Sequence, residues 1–199
     1  YNEHMFHYNA IQSDFASWSL VQQQLVLDNY AALPSRLMGI LEAGKIGLLS
    51  DLPQASTVLM RLSAWLALKG DVNVLDCACQ FDLYQVAYSI RKFTPRLYAV
   101  AEQVHIVRSF TCFEVLNALK RMEVSRQPLI IFSLLSTFYD DAVSDAQSFR
   151  MLSACVAEIR RLNQLAPVLI SLSSSTPSGS KRAGLLNLVK AAADEIIEP

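Results

Sequence analysis

The amino-acid sequence predicts a single α/β domain in which a mainly parallel sheet is covered by helices on both faces. Two observations support this prediction. From Gly44 onward, short apolar runs alternate with amphipathic runs of ten or more residues, a pattern typical of parallel sheets in three-layer α/β/α domains. The length of 199 residues, with 52% hydrophobic residues, suits one domain with a sizeable core.

The predicted elements follow one another with few interruptions. Strands are expected at 45–50, 71–76, 104–108, 128–133 and 167–173, with a short final strand at 196–197. Helices are expected at 20–41, with an interruption near Pro34, and at 56–69, 83–92, 113–122, 145–165 and 185–193. The Ser-, Gly- and Pro-containing run at 171–180 predicts a mobile loop. We therefore divide the chain into an N-terminal helical and aromatic segment, 1–43, and a core, 44–199.

Composition and charge narrow the classes of function. The formal charge of −1 argues against a strongly basic nucleic-acid-binding surface, although it allows a local patch. No run approaches the roughly 20 apolar residues that span a bilayer, and we find no signal peptide.

Of the four cysteines, Cys77 and Cys79 form a C-x-C pair without a second cysteine or histidine pair, so we expect structural cysteines rather than a metal or redox site. A reducing, cytoplasmic location fits this usage best.

Short sequence islands at the predicted strand ends resemble the RecA family of ATPases, above all its eukaryotic and archaeal recombinase branch. In parallel sheets the loops after the strands carry the ligand site, so these islands stand where function is expected. The resemblance covers about Gly44 to the end of the chain, with fitting spacing. The islands are Gly44-Lys45-Ile46, Asp76 to Phe81 (DCACQF), Arg108-Ser109-Phe110, Ser133 to Tyr139 (SLLSTFY) and Ile170 to Ser173 (ISLS).

The same resemblance implies that the phosphate loop is degenerate. The family's G-x-x-x-x-G-K-[ST] motif falls without a gap on 51–58, which reads DLPQASTV. Asp51 and Ser56 occupy the glycine positions, Thr57 the position of the phosphate-binding lysine, and Val58 that of the Mg²⁺ ligand. Asp51 would also bring a negative charge towards the phosphates, at a cost of about 1–4 kcal/mol.

At three further positions, the sequence lacks the residues with which the family hydrolyses ATP. The resemblance places Ala78 where the family keeps the glutamate that activates water. It places Ser133 at the carboxylate that helps to hold Mg²⁺, and Ser173 at the polar residue that senses the γ-phosphate. Because phosphoryl transfer depends on such positioning and charge neutralisation, we expect no ATP hydrolysis, no cofactor and no metal.

Two other segments are candidates for contacts with partners. Lys181 and Arg182 follow the Ser-rich run, where recombinases carry a DNA-contacting loop, and the pair is a candidate for weak, salt-sensitive phosphate contact. The family also links its protomers through an N-terminal aromatic or apolar anchor. The candidate interface residues here are Phe6, Tyr8, Phe15 and Trp18.

Two polar residues in the predicted strands have an ordinary explanation. Asp76, at a strand end, is either a remnant of the active site or a residue that forms a turn or caps a helix. His105 lies within a predicted strand, where we expect a buried histidine with a satisfied hydrogen bond.

The resemblance favours a non-catalytic, RecA-like structural or regulatory subunit of DNA recombination or repair. Its expected partners are a second copy of itself or an active RecA-family ATPase, with DNA contact weak and no membrane contact. One alternative is a regulator resembling the SulA type of cell-division inhibitor, which has a RecA-like fold, no ATP site and a protein target. A second alternative is an NTP-binding protein whose unconventional site is completed by a neighbouring molecule.

Overall fold

The computed structural model describes residues 33–172 and 183–199, which form one six-stranded sheet with helices packed against it. The strands are β1 (Ile46–Leu49), β2 (Val72–Asp76), β3 (Val104–Arg108), β4 (Leu129–Phe132), β5 (Val168–Ser171) and β6 (Glu195–Ile197). The α-helices are α1 (Leu33–Glu42), α2 (Ala55–Ala67), α3 (Leu83–Phe93), α4 (Leu97–Ala101), α5 (Cys112–Arg121), α6 (Asp145–Leu162) and α7 (Ala183–Lys190). A 3-10 helix, Leu134–Phe138, lies between β4 and α6.

The sheet is parallel throughout, with the strand order β3-β2-β4-β5-β1-β6. Successive strand residues point to opposite faces, so each inner strand contributes to two cores. Val74 and Ile130 pack on the side of α1 to α4, whereas Leu75 and Ile131 pack on the side of α5, α6 and α7. The predicted three-layer α/β/α domain is therefore confirmed, and the strand order is compatible with a RecA-like fold.

Short polar side chains set the starts of three helices. Asp82 precedes α3, and its carboxylate accepts hydrogen bonds from the backbone N–H groups of Tyr84 (2.8 Å) and Gln85 (3.4 Å). Thr111 caps α5 and Ser144 caps α6 in the same way. These bonds satisfy N–H groups that have no partner within the helix, so the helices begin where the sequence places such residues.

The helices of the structure differ from the sequence prediction in four places. Helix α7 spans Ala183–Lys190, whereas the prediction was 185–193. The helix α4 and the 3-10 helix were not predicted, because five residues are too few for a helical period to show. Helix α6 ends at Leu162, three residues earlier than expected. Asn163 ends it: its side-chain amide donates to the carbonyl groups of Gly44 (2.8 Å) and Ala166 (2.9 Å).

The strand β3 forms one edge of the described sheet, where it pairs with β2. Its residues stay partly or largely exposed, in contrast to the wholly buried β4 and β5. The prediction that His105 is buried is therefore wrong: half of its side chain is exposed, and Nε2 lies 2.8 Å from Oδ1 of Asp71. An edge position cannot be read from a strand's own sequence, because it depends on which strands pair.

Several predictions lie outside the described residues. They concern the phosphate-sensing position Ser173, the candidate DNA contacts Lys181 and Arg182, and the interface aromatics Phe6, Tyr8, Phe15 and Trp18. The division at residue 43 and most of the predicted loop at 171–180 likewise stay predictions. Within the described ranges, no helix combines the length and apolarity needed to cross a membrane.

Substitutions of Gly47 in β1 and of Gly39 in α1 test how tightly β1 is packed. A Cβ added at Gly47 would lie 2.8 Å from side-chain atoms of both Ile40 and Leu169, so G47A should lower the free energy of unfolding by about 1–3 kcal/mol. Gly39, in the exposed face of α1, has no atom within 4 Å of such a Cβ, and G39A should leave stability unchanged or raise it by up to about 1 kcal/mol. Urea unfolding of both variants checks this, and equal effects would contradict the packing at Gly47.

Candidate functional site

A cleft of about 420 Å³ lies at the carboxyl edge of the sheet. Loops from four strands line it, namely those that follow β1, β2, β4 and β5. Helix α2, after β1, covers one face of the sheet, whereas α6 and α7, after β4 and β5, cover the other. Parallel sheets form ligand-binding crevices where successive connections leave on opposite faces, so this is the expected place for a site. The lining residues are Leu52, Pro53, Gln54, Ala55, Ser56, Gln80, Ser133 and Leu172.

The loop between β1 and α2 lacks the features that let a backbone wrap a phosphate. It contains no glycine, yet Asp51 (φ 56°) and Gln54 (φ 69°) both have left-handed backbone, which non-glycine residues rarely adopt. Gln54 precedes α2, and its side chain makes no hydrogen bond that caps the helix. The Asp51 carboxylate is exposed and accepts a hydrogen bond from the Ser50 hydroxyl (3.1 Å).

The first turn of α2 carries the other three residues that the sequence resemblance aligned with the phosphate motif. Ser56 and Thr57 are half-buried and uncharged, so neither supplies the cation that a phosphate loop requires. Val58 is wholly buried in the core and offers no oxygen to a metal ion. Among the described residues that line the cleft, none is a lysine or an arginine.

Gln80 joins the loops across the cleft. Its Oε1 atom accepts hydrogen bonds from the hydroxyl groups of Ser56 (2.7 Å) and Ser133 (2.8 Å), so it bridges the connections after β1, β2 and β4. The backbone N–H of Ser133 donates to the Ser171 hydroxyl (3.0 Å), which adds β5 to the same network. The functional groups that meet here are therefore neutral hydroxyls and an amide.

The sequence resemblance predicted Ser56 and Ser133 as residues of this site and did not predict Gln80 or Ser171. Both missed residues lie inside quoted islands, DCACQF and ISLS, but serine and glutamine are common in loops and carry no signal of their own. Ser133 is buried and has a left-handed backbone (φ 49°), a conformation that directs its hydroxyl group to Gln80.

Asp76 organises the turn that carries Gln80. Its buried carboxylate accepts hydrogen bonds from the backbone N–H groups of Ala78 (3.3 Å), Gln80 (3.0 Å) and Phe81 (3.0 Å). Nε of Arg108 lies 3.5 Å from Oδ2 of the same carboxylate. All these partners belong to the protein's own turn and neighbouring strand, which is the arrangement of a turn-forming residue. Ala78 takes part through its backbone and brings no carboxylate to the cleft.

The cysteines do not add a reactive centre. Cys77, Cys112 and Cys155 are buried and Cys79 is exposed, and all four are free thiols. Burial raises the pKa of the Cys155 thiol to about 12 and that of the Cys77 thiol well above its usual range, so both stay protonated and unreactive at neutral pH. Within the described part of the chain, no group of three or more histidine, cysteine or acidic residues is arranged to hold a metal ion.

The fold and the site together define an α/β domain with an all-parallel sheet and a neutral cleft at the strand ends. Neither a scan against protein-family models nor a search of curated proteins gives a match for this chain.

Asp76 should be essential for stability. In D76N an amide NH₂ replaces one carboxylate oxygen and cannot accept the N–H groups now bound, so the free energy of unfolding should fall by about 2 kcal/mol or more. The matched variant D82N keeps a helix cap, because asparagine caps as well as aspartate does, and should be nearly neutral. Urea denaturation with both midpoint and slope measured distinguishes them. An unchanged midpoint in D76N would show that the turn does not depend on the carboxylate.

Proposed function

We propose that this chain is a non-catalytic, RecA-like subunit that acts by protein association in DNA recombination or repair. The observation that supports it best is the hydrogen bonding of Gln80 to Ser56 and Ser133, because neutral groups bridge the cleft at the place where the family resemblance locates ATP. The role in recombination comes from the resemblance of the sequence islands.

Electrostatics argue against a nucleotide in this cleft. A triphosphate needs cations and closely approaching N–H groups to replace the water that it loses. The described lining offers hydroxyl and amide groups, and the one ionised side chain in the β1–α2 loop, Asp51, is negative. A protein that keeps this folded core but lacks the cations and N–H groups that bind phosphate would act through its surfaces, by binding other molecules.

A groove beside β3 is the surface that best fits a docking role. It has a volume of about 510 Å³ and lies between the edge strand β3 and helix α5. Val107, 41% exposed, Ala118 and Met122 supply apolar surface. Arg108 and Arg121 line the groove together with Glu114, so its arginines outnumber its carboxylates. An extended segment could pair with the side of β3 that carries no other described strand and insert an apolar side chain here, as in strand addition to a sheet edge.

The occupant that we propose is the N-terminal segment of a second copy. That segment carries the aromatic residues Phe6, Tyr8, Phe15 and Trp18. It also contains acidic residues, Glu3 and Asp14, that complement the arginines of the groove. Aromatic anchors in a pocket commonly dominate the energy of an interface. Self-association of this kind would produce a dimer or a longer assembly.

Titration with Mg-ATP tests the loss of the nucleotide site. Calorimetry at millimolar ATP should show no binding, and a phosphate-release assay should show no turnover. Q80A serves as the matched control, because it removes the bridge across the cleft: if the cleft lacks phosphate-binding groups, the variant should not bind ATP either. Binding tighter than about 10 μM, near −7 kcal/mol, would contradict the proposal and favour a composite NTP site.

Sedimentation velocity tests the association. V107D places a charge in the groove at a partly exposed position, so the domain should fold while the dissociation constant of the assembly rises at least about tenfold. F6A with W18A should have the same effect from the other side of the contact. L165D alters an exposed apolar residue outside the groove and should leave association unchanged.

A wild-type chain that stays monomeric, and that also fails to bind a RecA-family ATPase, would rule out the recombination role. Binding to a cell-division GTPase instead would favour the SulA-type alternative.

A further inference from the structure

The outer face of α3 and α4 carries three tyrosines that the domain does not bury. Tyr84, Tyr88 and Tyr98 are 88%, 63% and 82% exposed. Tyr84 and Tyr88 stand four residues apart on α3, so their side chains lie on one side of the helix. The inner side of α3, with Val86 and Ile90, already packs into the core. The exposed rings therefore contribute little to folding and are free for contacts with another molecule.

Three cations lie on α3 and at the start of α4, on the same segment as these rings. Arg91, Lys92 and Arg96 are exposed, and none has a carboxylate partner in the described part of the chain. From 83 to 101 the sequence contains no acidic residue. The ammonium group of Lys92 lies over the Tyr88 ring, 4.4 Å from its centroid, which places a cation against one face of this ring. We call the set formed by Tyr84, Tyr88, Tyr98, Arg91, Lys92 and Arg96 the tyrosine–basic surface.

We propose that the tyrosine–basic surface binds a single strand of nucleic acid. Unpaired bases stack on exposed aromatic rings, and the unpaired cations beside the rings neutralise the phosphates between successive bases. A duplex keeps its bases stacked inside and cannot use the rings in this way. An anionic membrane would use the cations, but insertion needs a broad apolar face, whereas Gln85 and Arg91 lie on the exposed side of α3 with the tyrosines. The inference adds a ligand to the proposed association role and depends on other residues, so either can fail without the other.

Fluorescence anisotropy with a labelled oligothymidylate of about 20 nucleotides tests this binding at low salt. The wild-type chain should bind the single strand more tightly than a duplex of equal length, and added salt should weaken the complex. Replacing one tyrosine by alanine, as in Y84A or Y98A, should weaken binding at least about fivefold, because a stacked base is lost. The matched variants Y84F and Y98F keep the ring and should bind within about twofold of the wild type. Because these side chains are exposed, the substitutions should not impair folding, which thermal unfolding checks.

Separate variants test the contribution of the cations and the possibility that the oligonucleotide binds elsewhere on the chain. R91Q with K92Q should flatten the dependence of affinity on salt, since fewer phosphates are neutralised. L165A removes an exposed apolar side chain elsewhere and should have no effect. Loss of binding in K181A with R182A, together with wild-type binding in the tyrosine variants, would overturn the proposal and assign the contact to the loop. No oligonucleotide binding would also overturn it, and retention on phosphatidylserine vesicles in that case would identify a membrane contact instead.

Discussion

The buried carboxylate of Asp76 determines the shape of the carboxyl edge of this sheet. It ends β2, which lies between the edge strand β3 and β4, and its two oxygens hold the N–H groups of the following residues in a tight turn. A buried charge is tolerated only when hydrogen bonds or an opposite charge replace its hydration. Here backbone N–H groups and the nearby Arg108 supply both. The turn then brings Gln80 to the cleft, so the network of neutral side chains depends on this one carboxylate.

Backbone strain collects at the same edge. Asp51, Gln54, Cys79 and Ser133 are the non-glycine residues with left-handed backbone in the described ranges, and all of them follow the ends of β1, β2 or β4. Each such residue costs about 1–2 kcal/mol relative to ordinary backbone. In a phosphate loop, glycines remove that cost so that the backbone can approach a ligand. Here the strained conformations persist without glycine, and one of the four residues, Ser133, places its hydroxyl group in a hydrogen bond with Gln80 across the cleft.

Both proposed binding surfaces of the domain lie on and around the edge strand β3. Because β3 pairs with a strand on one side only within the described ranges, the helices that flank it cover it incompletely, and Val107 and His105 remain partly in contact with solvent. The groove towards α5 combines apolar surface with two arginines, whereas α3 and α4 present tyrosines and cations. The two proposed functions therefore use different faces near one edge of the sheet. This arrangement would let an assembly form while a nucleic-acid strand is bound.

Local sequence patterns determined most of the fold. Apolar runs alternating with helical segments predicted all six strands within one or two residues. The signal was clearest for strands such as β4 and β5, because a strand buried on both faces must be apolar along its length. Caps such as Asp82 determined where helices begin, since their side chains bond to N–H groups two or three residues away. The absence of lysine and glycine from the loop after β1 was equally visible, because that motif is local.

Tertiary structure alone decided which residues meet. The contacts of Gln80 with Ser56 and Ser133 join positions 24 and 53 residues apart, and no local pattern selects that glutamine from others. The edge position of β3 and the exposure of His105, Tyr88 and Tyr98 likewise depend on strand order and helix packing. Propensity and periodicity act over a few residues, whereas a cleft or a sheet edge is created by pairing between distant segments. The sequence by itself therefore determined the elements and the lack of glycine and lysine in the loop after β1, and the packing of those elements decided which residues meet in the cleft.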